Sequence, residues 1–95
     1  MRIISIKRIR QFIEKHSDSE SSLLAWHDTV KAADWEHTAD LKKMFPSADM
    51  VGKRMVFNIA HNRYRLIARV NYRSKRVFVL FILTHKEYDQ GGWKE

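Results

Sequence analysis

The chain has 95 residues, a formal net charge of +7 and no cysteine. One domain, residues 1–95, exhausts that length, and the missing cysteines exclude disulfide scaffolds, cysteine-ligated zinc and cysteine nucleophiles. The longest apolar run, Val77 to Leu83, is seven residues, too short to span a membrane.

Arg2-Ile3-Ile4 reads as a short strand at the start of the chain. Met1 to Lys7 offers neither a long apolar stretch nor a small-residue cleavage site, so no signal peptide is expected and the expected compartment is the cytoplasm. Ser5 can cap a helix whose apolar stripe is Ile6, Ile9 and Ile13 with Phe12 beside them, leaving Lys7, Arg8, Gln11, Glu14 and Lys15 on the outer face. Ser17-Asp18-Ser19-Glu20 has capping-box spacing and predicts the start of a second helix, with Leu23, Trp26, Val30 and Ala33 along one stripe. A third short helix starts at Thr38, contains Leu41, Met44 and Phe45, and ends at Pro46.

Residues 46–54 read as a connecting loop with Gly52 as its flexible point. The period then changes to two. Residues 55–60, 64–72 and 76–83 are rich in Val, Ile, Phe and Tyr, as strands are. His61-Asn62 fits a tight hairpin turn because asparagine tolerates positive φ, and Arg73-Ser74-Lys75 separates the second and third strands. Helices first, then an antiparallel meander, then a polar tail describe an α+β domain with N-terminal helices packed on a small antiparallel sheet.

Residues 1–48 carry 8 basic and 7 acidic side chains, whereas residues 49–95 carry 10 basic and 4 acidic. A basic half of this kind suits a polyanion, nucleic acid before membrane surface; a solvated basic surface is the plain alternative. Strand parity puts Arg63, Arg65 and Arg69 on one face. With His61-Asn62 as a two-residue turn, Asn58 pairs with Arg65 and the two project side by side. A guanidinium offers planar donors to a phosphate, and an amide can orient a hydroxyl or a base. Lys53 and Arg54 add cations just before the first long strand.

The segment Thr84-His85-Lys86-Glu87-Tyr88-Asp89 concentrates an imidazole, an ammonium, a phenol and two carboxylates directly after an apolar strand. A three-residue loop at Arg73–Lys75 aligns Arg63 with His85, while a two-residue loop sends His85 to the other face. The residue types favour the longer loop. Cleaving RNA without a metal requires a proton acceptor for the 2′-hydroxyl, a proton donor for the leaving oxygen and cations for the phosphorane charge. His85 and Tyr88 can do proton work, and Arg63, Arg65 and Lys86 can hold charge. The alternative is a polar C-terminal cap with a satisfied histidine. His16, His27, His37 and His61 have no metal-ligand spacing, so neither a metal nor another cofactor is expected. Trp26 and Trp35 are expected in the core or against a partner, and Trp93 in an exposed tail.

Residues 56–67, Val-Phe-Asn-Ile-Ala-His-Asn-Arg-Tyr-Arg-Leu-Ile, resemble the signature hairpin of the HigB toxins, RelE-superfamily mRNA interferases of bacterial type II toxin–antitoxin systems. Thr84 to Asp89 is similar to that family's T-H-x-E-Y-D ending, and Phe45-Pro46-Ser47-Ala48-Asp49 to its F-P-S-A-D stretch. The resemblance extends over the whole chain in length and order, with its specificity in residues 45–89. The family often has glycine where this chain has His61.

The resemblance implies a compact RelE-like fold and ribosome-dependent, metal-independent cleavage of translated mRNA by 2′-hydroxyl attack. It implies a helix-turn-helix antitoxin of the HigA type as partner, which alone contacts operator DNA, and no membrane partner. It assigns proton transfer or base orientation to His85 and Tyr88, the scissile phosphate to Arg63 and Arg65, and positioning to Asn58 and Lys86. Arg69, Lys53 and Arg54 extend the expected RNA-binding surface. A non-catalytic RNA-binding module and an inactive toxin homologue kept for partner binding are the competing readings. The intact set of Asn58, Arg65, His85 and Tyr88 favours an active enzyme over the second of these.

Overall fold

In the computed structural model, which describes residues 1–94, the elements run β1 (Arg2–Ile4), α1 (Ile6–Lys15), a 3₁₀ turn (Ser17–Ser19), α2 (Glu20–Ala32), α3 (Thr38–Met44), β2 (Asp49–Val51), β3 (Arg54–Ile59), β4 (Tyr64–Asn71), β5 (Arg76–Thr84) and α4 (His85–Gln90). The strands form one five-stranded sheet in the order β1-β5-β4-β3-β2. The α+β expectation and the antiparallel meander of the last three strands hold. The sheet as a whole is mixed, because β1 returns to pair parallel with the first residues of β5, Arg76 to Phe78.

Alternation along the strands separates two faces. Met55, Phe57 and Ile59 of β3, Leu66 and Ala68 of β4 and Val77 and Val79 of β5 point to the helices and join Ile9, Leu23, Trp26, Val30, Trp35 and Leu41 in the main core. Trp26 and Phe57 meet edge to face at 5.3 Å, as do Phe45 and Phe57 at 5.1 Å. Both early tryptophans are therefore core residues. The opposite face carries a smaller cluster in which Val56 and Ile67 pack with Trp93, backed by Phe81, Leu83 and Tyr88.

Several local expectations change. Residues 49–51 form β2, a short edge strand antiparallel to β3, and not loop. The Ser17–Glu20 capping box does not form. A 3₁₀ turn occupies these residues, and the Ser19 hydroxyl turns back to the His16 carbonyl at 2.6 Å. Ser5 stands at the α1 N-cap with φ 73° but makes no side-chain cap bond. Trp93 is 4% exposed, so the expected exposed tail residue is a buried one. Its ring stacks on Tyr88 at 5.0 Å and its indole N–H donates to the Tyr88 carbonyl at 2.9 Å.

The register of the two hairpins decides where the polar tail lands. In the β3–β4 hairpin, Asn58 is opposite Arg65, Arg63 N–H donates to the Ala60 carbonyl at 3.1 Å, and Ala60, His61 and Asn62 all have positive φ. The β4–β5 connection is one residue longer than the three-residue loop expected, since Asn71 pairs with Arg76. A bulge then shifts the register: Ala68 pairs with Val79 but Ile67 with Phe81, which leaves Leu80 over. The extra turn residue and the bulge cancel. His85 N–H donates to the Arg63 carbonyl at 3.1 Å, the alignment that the shorter loop alone implied.

Candidate active site

Thr84 closes β5 and opens α4 in one step. Its hydroxyl accepts from Glu87 N–H at 3.2 Å, and the Glu87 carboxylate accepts from Thr84 N–H at 2.9 Å. This reciprocal cap holds the first turn of a helix too short to persist alone. His85 sits in that first turn, and its Nδ1 lies 2.9 Å from the Asp89 carboxylate four residues on. A carboxylate accepting from Nδ1–H leaves Nε2 as the acceptor nitrogen. Glu87 thus caps the helix and Asp89 orients the histidine.

Tyr88, on the next turn, leans over the second face of the sheet. The Arg65 guanidinium lies over its ring, 5.3 Å from the centroid. Arg65 also donates to the carbonyls of Asn62 at 2.7 Å and Tyr64 at 3.3 Å. These contacts pre-set the direction of a half-buried cation. Asn58, across the ladder from Arg65, donates its amide to the Ser47 carbonyl at 3.4 Å. Lys86 is exposed beside His85.

Arg63 departs from the face it was expected to share with Arg65. Its guanidinium donates to one oxygen of Asp18 at 2.8 Å, while the Tyr64 hydroxyl donates to the other at 2.7 Å. The Tyr64 hydrogen bond first, and the Arg63 guanidinium after it, hold the Asp18 carboxyl below the usual carboxylate range. The same bond, aided by burial, raises the Tyr64 phenol. The His16 ring rests 5.3 Å from Tyr64 and stacks on Phe12 at 4.5 Å. Asp18 therefore ties the hairpin tip to the 3₁₀ turn after α1. Nothing local in the sequence announces a contact across 45 residues, and the apparent capping box hides it.

Arg54, Lys53 and Arg69 stand at the far end of the same face. Arg69 is four residues from Arg65 along β4, about 13 Å of strand. Arg54 donates to the Trp93 carbonyl at 2.5 Å and lies 5.7 Å from the centroid of the Phe81 ring. Lys53 is exposed in the β2–β3 turn beside Gly52, whose φ is 61°. The fold therefore gathers His85, Tyr88, Arg65, Asn58 and Lys86 at one end, sets Arg63 on their margin and leaves the other three cations beyond Trp93. Among the described residues, no group of three His, Asp or Glu side chains is arranged to hold a metal ion, and no helix is long and apolar enough to cross a membrane.

Residues 19–91 match the profile of the HigB toxin family, the RelE-like toxic component of a toxin-antitoxin system. Among curated proteins, the chain is 32% identical to the mRNA interferase toxin HigB of Escherichia coli strain K12, over 94% of this chain and 88% of that protein. It is equally similar to the mRNA interferase HigB of Shigella flexneri, and 29% identical to an mRNA interferase HigB of Escherichia coli O6:H1 over 95% of this chain and 90% of that protein.

Proposed function

The chain belongs to the HigB family of RelE-like toxins, and on that premise we propose that it cleaves mRNA on the translating ribosome. Its family makes it an mRNA-directed endoribonuclease and gives it an antitoxin partner. The observation that carries the chemical reading is the oriented imidazole: His85, held by Asp89 at 2.9 Å, on the same α4 as Tyr88, whose ring packs under Arg65.

In the proposed reaction the 2′-oxygen of the nucleotide before the cut attacks the neighbouring phosphorus. His85 Nε2 accepts the 2′-hydroxyl proton, the bond from phosphorus to the 5′-oxygen breaks, and the Tyr88 hydroxyl supplies a proton to that oxygen. The products are a 2′,3′-cyclic phosphate and a 5′-hydroxyl. Arg65 stabilises the charge that develops on the phosphorane oxygens, and Arg63 can add to it by exchanging Asp18 for phosphate. Both side chains of that ion pair are solvent-exposed, and an exposed pair contributes little, so that exchange costs little. Asn58 and Lys86 position the RNA, and Arg69, Lys53 and Arg54 hold more of its backbone. No metal or other cofactor takes part.

The protein acts as one domain in the cytoplasm, without a membrane partner. Its antitoxin is of the HigA type, with a helix-turn-helix through which alone the complex reaches operator DNA. The test is primer extension on a reporter mRNA in a reconstituted translation system, with and without ribosomes. Discrete cuts inside the translated region, seen only with ribosomes and lost in His85→Ala and Arg65→Ala, are expected. Uncut mRNA from the folded wild-type protein would overturn the reading.

A further inference from the structure

The outer face of α1 is not merely solvated. Because β1 pairs only with the first residues of β5, the upper part of β5 is bordered by α1, and a groove of about 200 Å³ runs between them. Arg8, Gln11 and Lys15 line one wall; Phe12 and Ile82 from the helix side and Phe81 and Leu83 from the opposite side contribute the apolar part. The three polar residues have i, i+3, i+7 spacing, one face of the helix. All three are exposed. Arg8 and Lys15 are seven residues apart, about 10 Å along the axis, a span that brackets a nucleotide and not a single phosphate. Helix α1 as a whole has four cations, Lys7, Arg8, Arg10 and Lys15, against one acid, Glu14.

One lining residue of the groove adjoins the candidate active site along the sheet. Leu83 is the ladder partner of Arg65, so the groove starts on the neighbouring strand, about 5 Å from the Arg65 backbone. Phe81 and Leu83 belong to the same face as Tyr88 and Trp93. An aromatic and aliphatic floor, a central amide and a cation on either side are what a single unpaired nucleotide requires. The base packs on the floor, the amide meets its edge and the cations meet flanking phosphates.

We propose that this groove binds a nucleotide of the RNA chain adjacent to the scissile phosphate, with Gln11 a specificity-determining residue and Arg8 and Lys15 the phosphate contacts. The inference rests on the RNA-cleaving reading of the neighbouring site, and its test separates the two. Binding of a short fluorescent single-stranded RNA would be followed by anisotropy over a salt series, without ribosomes so that the RNA stays whole. Arg8→Ala with Lys15→Ala is expected to weaken binding about tenfold and to lower the slope of log affinity against log salt by about 1.4, two single-strand phosphate contacts. Lys31→Ala with Lys43→Ala, which removes the same charge elsewhere, is expected to have a much smaller effect.

Gln11→Ala, made in the active protein, is expected to redistribute cleavage among sites in primer extension. Equal losses from the two charge pairs would overturn the groove in favour of a diffuse field. So would unchanged RNA binding by the Arg8 and Lys15 variant, with or without loss of antitoxin binding. Failure of His85→Ala to stop cleavage would instead overturn the active-site reading, whatever the groove binds.

Discussion

The guanidinium of Arg65 lies over the ring of Tyr88, 5.3 Å from its centroid, while two backbone carbonyls hold its other edge. The pair joins the middle strand of the sheet to the C-terminal helix. Arg65→Ala is expected to slow cleavage about 10²-fold, the scale for one lost charge-stabilising group, with the melting temperature little changed. Arg65→Lys keeps the charge but loses the planar contact, and is expected to recover only a small part of the rate. Cleavage rates in reconstituted translation check both. Full recovery by lysine would mean that charge alone matters.

The Thr84–Glu87 cap gives a second prediction. Thr84→Ala removes an acceptor for the first turn of α4 and is expected to cost about 1 kcal/mol of stability. Cleavage is expected to fall further than stability does, because His85 sits in that turn and Tyr88 follows directly on it. Thr84→Ser keeps the hydroxyl and is expected to restore both. Denaturant unfolding and primer extension on the same variants report the two effects separately.

Asp18 predicts a pH dependence. Its folded pKa lies below the ordinary value, so its contribution is present above the ordinary carboxylate pKa and is lost as pH falls through the folded one. Asp18→Asn should therefore be less stable than wild type at neutral pH, with the gap closing in acid. Tyr64 gives the mirror image. Its pKa is raised, so its contribution is complete below the ordinary phenol value and is lost as pH rises through the raised one. Melting curves across pH for Asp18→Asn and Tyr64→Phe test both signs; a gap that widens in acid for the Asp18 variant would contradict the assignment.

His61 holds φ at 53° in the hairpin turn. Left-handed backbone costs a non-glycine residue roughly 1–2 kcal/mol, and glycine costs roughly 0.5–1 kcal/mol more entropy on folding. His61→Gly is expected to stabilise by the difference, about 1 kcal/mol. A higher urea midpoint with an unchanged m-value is the expected result.

Much of this was legible in the sequence. Period-two patterning located three long strands to within a residue or two, and parity with the two-residue turn placed Asn58 beside Arg65. Thr84 to Asp89 announced a cluster of chemistry-bearing side chains; that Thr84 and Glu87 cap each other's backbone came only with the structure. What stayed hidden depends on distance along the chain. The Asp18 contact spans 45 residues and matches no local pattern. Trp93 is buried because α4 folds back over Val56 and Ile67, which composition does not reveal in a glycine-rich tail. The edge strand β2 is three residues long, below the length at which alternation can be read. Arg8, Gln11 and Lys15 looked like a solvent face because nothing in α1 alone says that Phe81 and Leu83 lie beside it.

Leu80 behaves as a half-period phase jump in an alternating signal. The turn at Tyr72–Lys75 sets the phase of β5 at one end, and the bulge resets it before His85. Adding or removing one residue at either place would swap the inward and outward sides of the upper strand and carry His85 away from Arg63; changing both would cancel there. Among homologues, a turn one residue shorter should therefore occur together with an unbulged strand. The two lengths should vary as a linked pair even though neither segment touches the reacting groups.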